Sequence, residues 1–233
     1  MKMTLVSIAT AIVLLASVSA CTPSIRDTKL TGQNTVSLST RVANASDISA
    51  ADRTAFKNAV SRLADPNATP ETVNALKREF LDQTVGDVAT KERADESVKH
   101  QLALWLTYIR GIPGDNADLV NANVNKMFTM IQKDSQATVA ARDYLTTQNP
   151  LTFAKAGITR TIIKVEVSKV GDLAYRIAWQ ERTSKRGSPD PYQAFSGTVQ
   201  LAQPPAVPAD PVIGQENPAG IYIKSYDLPW STL

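Results

Sequence analysis

A chain of 233 residues, 43% hydrophobic and 20% charged, carries enough apolar material for one or two packed domains. One cysteine and one histidine exclude an internal disulfide and a cysteine-cluster zinc site, and any triad or HExxH chemistry would rest on His100 alone. The net charge of +3 is a small surplus of 25 basic over 22 acidic residues dispersed along the chain, which argues against direct nucleic-acid binding.

The chain opens with Lys2, an apolar stretch from Leu5 to Ala16 and the small-residue exit Val18-Ser19-Ala20-Cys21. That sequence reads as a secretory signal over residues 1–20. Val18-Ser19-Ala20-Cys21 resembles the lipobox of bacterial lipoproteins, which implies cleavage before Cys21 and acylation of its thiol. The competing reading is an uncleaved signal anchor, because no charge interrupts Met3 to Ile25. Serines, threonines and a proline in its second half leave the strongly apolar part short for a spanning helix. Either reading places the remainder outside the cytoplasm, and either the inner or the outer membrane can hold the anchor.

Residues 21–45, rich in Thr, Ser, Asn and Gly, read as a tether after a lipidated Cys21. A helical extension is expected over 46–89. Residues 47–64 have helical spacing, with Ala51, Phe56, Ala59, Val60 and Leu63 on one side. Thr69-Pro70-Glu71 then starts a second helix with a capping hydroxyl, a proline that needs no N–H partner and an early acid. Val85-Gly86 is expected to interrupt it. The folded domain is placed at 90–230.

Within it, a helix from about Lys91 to Arg110 presents Val98, Leu102, Trp105, Leu106 and Ile109 in one stripe. Asp115 or Asn116 can cap the next, lined by Leu119, Val120, Val124, Met127, Phe128 and Ile131. Ser135 opens a shorter helix to about Tyr144, and Asn149-Pro150 reads as a turn. Beyond Gly157 the apolar period changes to two. Thr161, Ile163, Val165 and Val167 are expected on one face of a strand, with Arg160, Lys164 and Glu166 opposite. Leu173, Tyr175, Ile177 and Trp179 mark its hairpin partner. A polar loop at 184–190, a third strand near 192–202, a proline-rich stretch and a last strand at about 220–228 complete the chain. Helices first and strands last argue an α+β fold with helices on one face of an antiparallel sheet.

The ending Asn217-Pro218-Ala219-Gly220-Ile221-Tyr222-Ile223 and the strand Tyr175-Arg176-Ile177-Ala178-Trp179-Gln180-Glu181 resemble a known family. They are similar to the NPxG ending and the YRVxWxE strand of the TrbF-like, VirB-type assembly component of bacterial type IV secretion and conjugation machines. That resemblance covers about residues 90–230. It implies a curved four-stranded antiparallel sheet under helices, a nuclear-transport-factor-like cone. It also implies a periplasmic, non-catalytic subunit without a cofactor, which self-associates and contacts other secretion-channel subunits. Asn217, Pro218, Gly220 and Tyr222 are the interface candidates it points to. Such components usually carry a transmembrane helix, where this chain has the lipobox-like segment. The alternative is an exported cone-fold lipoprotein that binds a small ligand or acts as an enzyme.

Three other features have plainer readings. His100 has no clustered acid partner and reads as a surface or partly buried side chain, not a ligand or base. Trp105 and Trp179 fall on buried stripes and read as core, while Trp230 stays open between core and a stacking surface for carbohydrate or bases. Lys185-Arg186, with Arg182 nearby, reads as a solvated hairpin end.

Overall fold

The computed structural model describes residues 24–114, 116–203, 215 and 217–229. The signal segment, Cys21 and Trp230 lie outside these residues. Helices α1 (Thr35–Ala43), α2 (Ala50–Leu63), α3 (Pro70–Phe80), α4 (Val85–Arg110), α5 (Ala117–Thr129), α6 (Gln136–Thr147) and α7 (Pro150–Lys155) precede the sheet. Its strands are β1 (Ile158–Lys169), β2 (Ala174–Lys185), the two-residue β3 (Ser188–Pro189), β4 (Gln193–Leu201) and β5 (Ile223–Asp227). The strand order is β1-β2-β4-β5, with β3 paired to β2 and every ladder antiparallel. The fold is α+β, as expected.

Several helix starts follow from their capping residues. Ser49, Thr69, Asn116 and Ser135 each accept the backbone N–H three residues on, which satisfies one of the otherwise unpaired donors of the first turn. Thr84 and Asp87 form a reciprocal capping box at the head of α4. Val85-Gly86 therefore opens a helix and does not interrupt one; the chain breaks at 81–84, just before the capping threonine. Asn149-Pro150 is likewise a helix start: Asn149 caps α7 and Pro150 occupies its first turn.

The expected tether is overturned over its described part. A short 3-10 turn at Ile25–Asp27 and α1 fold onto the next helices, with Leu30, Leu38 and Val42 buried among Phe56, Ala59 and Phe80. Leu38 and Val42, four residues apart, give α1 an apolar face strong enough to outweigh its Ser/Thr composition.

Helix α4 joins two cores. Val85, Val88 and Ala89 belong to the first, with α1–α3. Val98, Leu102, Trp105, Leu106 and Ile109 belong to the second, with Met127, Tyr175, Ile177, Trp179, Val199 and Ile223. The boundary expected between residues 89 and 90 lies inside this helix. Two buried acids, Glu92 and Asp95, fill the seam between the cores. Arg62 of α2 reaches both, at 2.6 and 3.5 Å, and Lys99 sits 2.6 Å from Asp95. Burial holds the Glu92 carboxyl above its ordinary range, against the opposing pull of Arg62.

A bulge re-phases β1. Ile163 pairs with Gln180 and Glu166 with Ala178, so Lys164 and Val165 stand against Trp179 alone. Lys164 takes the left-handed conformation there, φ +48°. In the bulge Val165, and beyond it Val167, pack on the core as expected. Before it the alternation is inverted: Thr161 is exposed, Ile162 packs on the core and Arg160 is buried. The polar loop at 184–190 also tightens, because β2 runs to Lys185 and turns through Arg186-Gly187, both at positive φ, into β3. On α5, Leu119 turns out to solvent (45% exposed) while Val120 and Met127 are buried.

Candidate interaction site

The segment Asn217–Gly220 forms a four-residue turn, closed by the Gly220 N–H donating to the Asn217 carbonyl at 2.9 Å. Pro218 fixes φ at its second position, and Gly220 adopts φ +59°, where a side chain would be strained. The turn delivers Ile221 into the core and Ile223 into β5.

Asn217 is fully buried and holds the turn in place. Its Oδ1 accepts the Ile221 N–H at 3.0 Å, while its Nδ2 donates to the Ile221 carbonyl at 2.7 Å and the Thr129 carbonyl at 3.3 Å. One amide thus supplies both hydrogen bonds that a neighbouring strand would give Ile221, and ties the turn to the end of α5. Next to it, Ile223 bonds through its N–H to Met130 and through its carbonyl to Gln132. The last strand is therefore clamped between β4 and the link joining α5 to α6.

The four interface candidates have unequal exposure. Asn217 and Gly220 are buried, Tyr222 is half-buried and Pro218 is exposed. Pro218 is the member whose side chain a partner can meet directly. The Tyr222 backbone is engaged with Ala202, whose N–H it accepts at 2.7 Å.

The β2 motif faces inward at every second residue, and two of its polar groups bind α4. Tyr175 donates its hydroxyl to Asp95 at 3.1 Å; burial first and Asp95 second push that phenol above its ordinary range. Glu181 receives Arg110 bidentately, at 2.7 and 3.1 Å, and Trp179 Nε1 at 3.1 Å. Asp95 and Arg110 lie about 22 Å apart along a helix, and Tyr175 and Glu181 about 20 Å apart along a strand. The two polar ties therefore set the register of α4 on β2. Arg160, brought inward by the bulge, stands 3.8 Å from Glu181 and donates to Tyr144 at 3.0 Å. Sequence spacing alone pairs Asp95 with Lys99 at i, i+4, as found, but the ties of Asp95 and Arg110 to β2 are not local, since each meets its strand partner across 70 residues or more of chain.

The remaining candidates take their plain positions. His100 is on the exposed side of α4. Trp105 and Trp179 are core residues, Trp105 edge-on to Tyr226 and Trp179 stacked on Phe195. Arg182 lies over the Tyr192 ring at 4.7 Å. Among the described residues there is no group of histidine, cysteine or acidic side chains placed to hold a metal ion, and no helix long and apolar enough to cross a membrane.

Comparison with known proteins bears on the same residues. The family described as VirB8 protein matches residues 68–229, which include α4, the whole sheet and the Asn217–Gly220 turn. No curated protein matches. Among solved structures, the chain is similar to the VirB8 protein of Agrobacterium tumefaciens, at 13% identity over 60% of this chain and 95% of that one, TM-score 0.49. It is similar to the soluble domain of TrwG type IV secretion machinery from Bartonella grahamii, at 14% identity over 58% and 94%, TM-score 0.43. It is also similar to CagV, a VirB8 homolog of Helicobacter pylori, at 12% identity over 57% and 96%, TM-score 0.38.

Proposed function

The chain belongs to the VirB8 family, and on that premise we propose that it is a structural subunit of a type IV secretion or conjugative transfer apparatus. In this reading its nuclear-transport-factor-like body faces the periplasm, associates with further copies and contacts other channel subunits. Within the family, the YRxxWxE strand and the NPxG turn support the TrbF-like branch. The work is association and not catalysis. The interior that a cone-shaped enzyme would keep for substrate is filled here by Leu102, Trp105, Leu106, Ile177 and Trp179.

The family match across the sheet and the turn is the observation that carries this reading. A photo-crosslinking residue at Pro218, the exposed member of the turn, tests it in cells that carry the secretion genes. Adducts with a channel subunit or with a second copy are expected, identified by mass spectrometry. Adducts no more abundant than from an exposed α4 position such as His100, with the protein still folded, would count against the turn as an interface.

The lipobox-like Val18-Ser19-Ala20-Cys21 supports a lipid at Cys21 in place of the family's usual transmembrane helix. Two or more acyl chains would anchor the protein stably where one would not. Labelled palmitate should enter the membrane-bound protein and be lost in Cys21→Ser; an unlabelled wild-type protein would dismiss the anchor.

A further inference from the structure

The folded body begins almost at the proposed lipid. Ser24 donates its hydroxyl to the Asp47 carboxylate at 2.6 Å, and the Ile25 N–H donates to the same oxygen at 3.1 Å. The Ser24 carbonyl accepts the Asp27 N–H, Lys29 pairs with Thr84, and Leu30 is fully buried. Three residue steps separate Cys21 from Ser24, and an extended chain covers about 11 Å in three steps at most. The headgroup layer is about 6 Å deep on each side of a bilayer, and a helix with its side chains is about 11 Å across. A body on so short a leash cannot stand clear of the membrane. The surface around Ser24 must be the part nearest to it.

That surface is a groove between the first described residues and α1, lined by Ser24, Ile25, Ser37, Thr40, Arg41 and Asp47 among others. Its outer wall is the free face of α1. Val36 is 81% exposed, the most exposed large apolar side chain among the described residues. Thr40 and Ala43 follow Val36 along one stripe at steps of four and three, and both are exposed. Arg41 is the only charge in α1, and α1 contains no acid. The nearby Asp47 carboxylate already holds Ser24 and Ile25.

We infer that this face of α1, with Thr40 at its centre, Val36 beside it and Arg41 at the edge toward the Ser24 groove, lies in the headgroup layer of the bilayer that holds the Cys21 lipid. The inference rests on the lipid-anchor reading above and adds to it an orientation for the body. One apolar side chain, small hydroxyl residues and a lone arginine suit the phosphate and glycerol level and not the hydrocarbon beneath it. Such a face binds lipid weakly by itself. The anchor supplies the high local concentration that makes weak contact persistent.

The test uses the full acylated chain in vesicles of phosphatidylethanolamine and phosphatidylglycerol, some of the lipids brominated as quenchers. With Cys21 acylated, Val36→Cys introduces a single free thiol for an environment-sensitive dye; Val139→Cys, on exposed α6 surface of the other core, is the comparison. Quenching at position 36 should exceed that at 139 roughly threefold or more, as expected for a headgroup-level probe. A Gly/Ser insert of about 20 residues before Ser24 spans about 25 Å on average and should bring the two positions together. Palmitate incorporation is measured on the same preparations. Acylated protein with equal quenching at both positions overturns the orientation and leaves the anchor standing. Protein without palmitate overturns the anchor, and the orientation falls with it.

Discussion

Replacing Asn217 by alanine removes an amide that makes three hydrogen bonds without exposure to solvent. The Ile221 N–H and carbonyl lose partners in a place water does not reach, and the Thr129 carbonyl loses a weaker one. Each stranded buried group costs about 1–3 kcal/mol, so Asn217→Ala should destabilise the protein by about 4 kcal/mol. For a chain of this size 1 kcal/mol moves the melting temperature by about 2–4 °C, which predicts a fall of about 8–16 °C by circular dichroism. Pro218→Ala, at an exposed position of the same turn, should change it far less. Asn217→Asp keeps the acceptor for Ile221 N–H but turns the donor into an oxygen facing two carbonyls. A carboxyl so placed binds its proton more tightly folded than unfolded, so this variant should regain stability as pH falls. An Asn217→Ala protein melting within about 2 °C of wild type would refute the assignment of the amide as the turn's support.

Other expectations concern the sheet and its ties to α4. A methyl group at Gly197 would overlap the Asp227 carbonyl oxygen and come 2.6 Å from a Leu228 methyl, so Gly197→Ala should cost about 3 kcal/mol, read as a lower urea midpoint. Tyr175→Phe should cost about 2 kcal/mol by removing a hydrogen bond to a charged acceptor. Because the Tyr175 phenol is raised in the folded state, its contribution is complete below its ordinary value of 10.0 and is lost progressively as pH climbs from there toward the raised folded value. The gap between wild type and Tyr175→Phe should therefore narrow in alkaline denaturation series. Glu181→Ala leaves Arg110 and Arg160 buried without their shared carboxylate and should cost about 3–5 kcal/mol, more than Glu181→Gln; equal losses would show that charge is not what matters there.

How far the fold could be read ahead depended on whether its signals were local. The stripe from Val98 to Ile109 and the start at Thr69-Pro70-Glu71 depend on neighbours in sequence, and both hold. Residues 24–45 misled because Ser and Thr dominate their composition, while the few apolar anchors, Leu30, Leu38 and Val42, do the packing. The bulge at Lys164 had no glycine to announce it, and with it went the side on which Arg160 lies. Asn217-Pro218-Ala219-Gly220 was legible as a turn from proline and glycine alone. What was not legible is that its asparagine faces inward and its proline outward, because that depends on Thr129 and on the last strand. The ties from Tyr175 to Asp95 and from Glu181 to Arg110 required the helix to be docked first.

The shared helix has a consequence for how this chain can vary in length. Val85, Val88, Glu92, Asp95, Val98, Leu102, Trp105 and Ile109 recur at steps of three and four along α4, one unbroken line of buried positions serving both cores. A helix turns about 100° per residue. Inserting or deleting a single residue between Ala89 and Val98 would rotate one core's line away from the other's by that angle, whereas a change of seven residues, close to two full turns, would bring it back to within about 20°. The loop at 64–69, before α3, carries no such constraint. Length differences among related chains should accordingly collect in that loop and be almost absent from the middle of α4, where rotation and not distance is the quantity being kept.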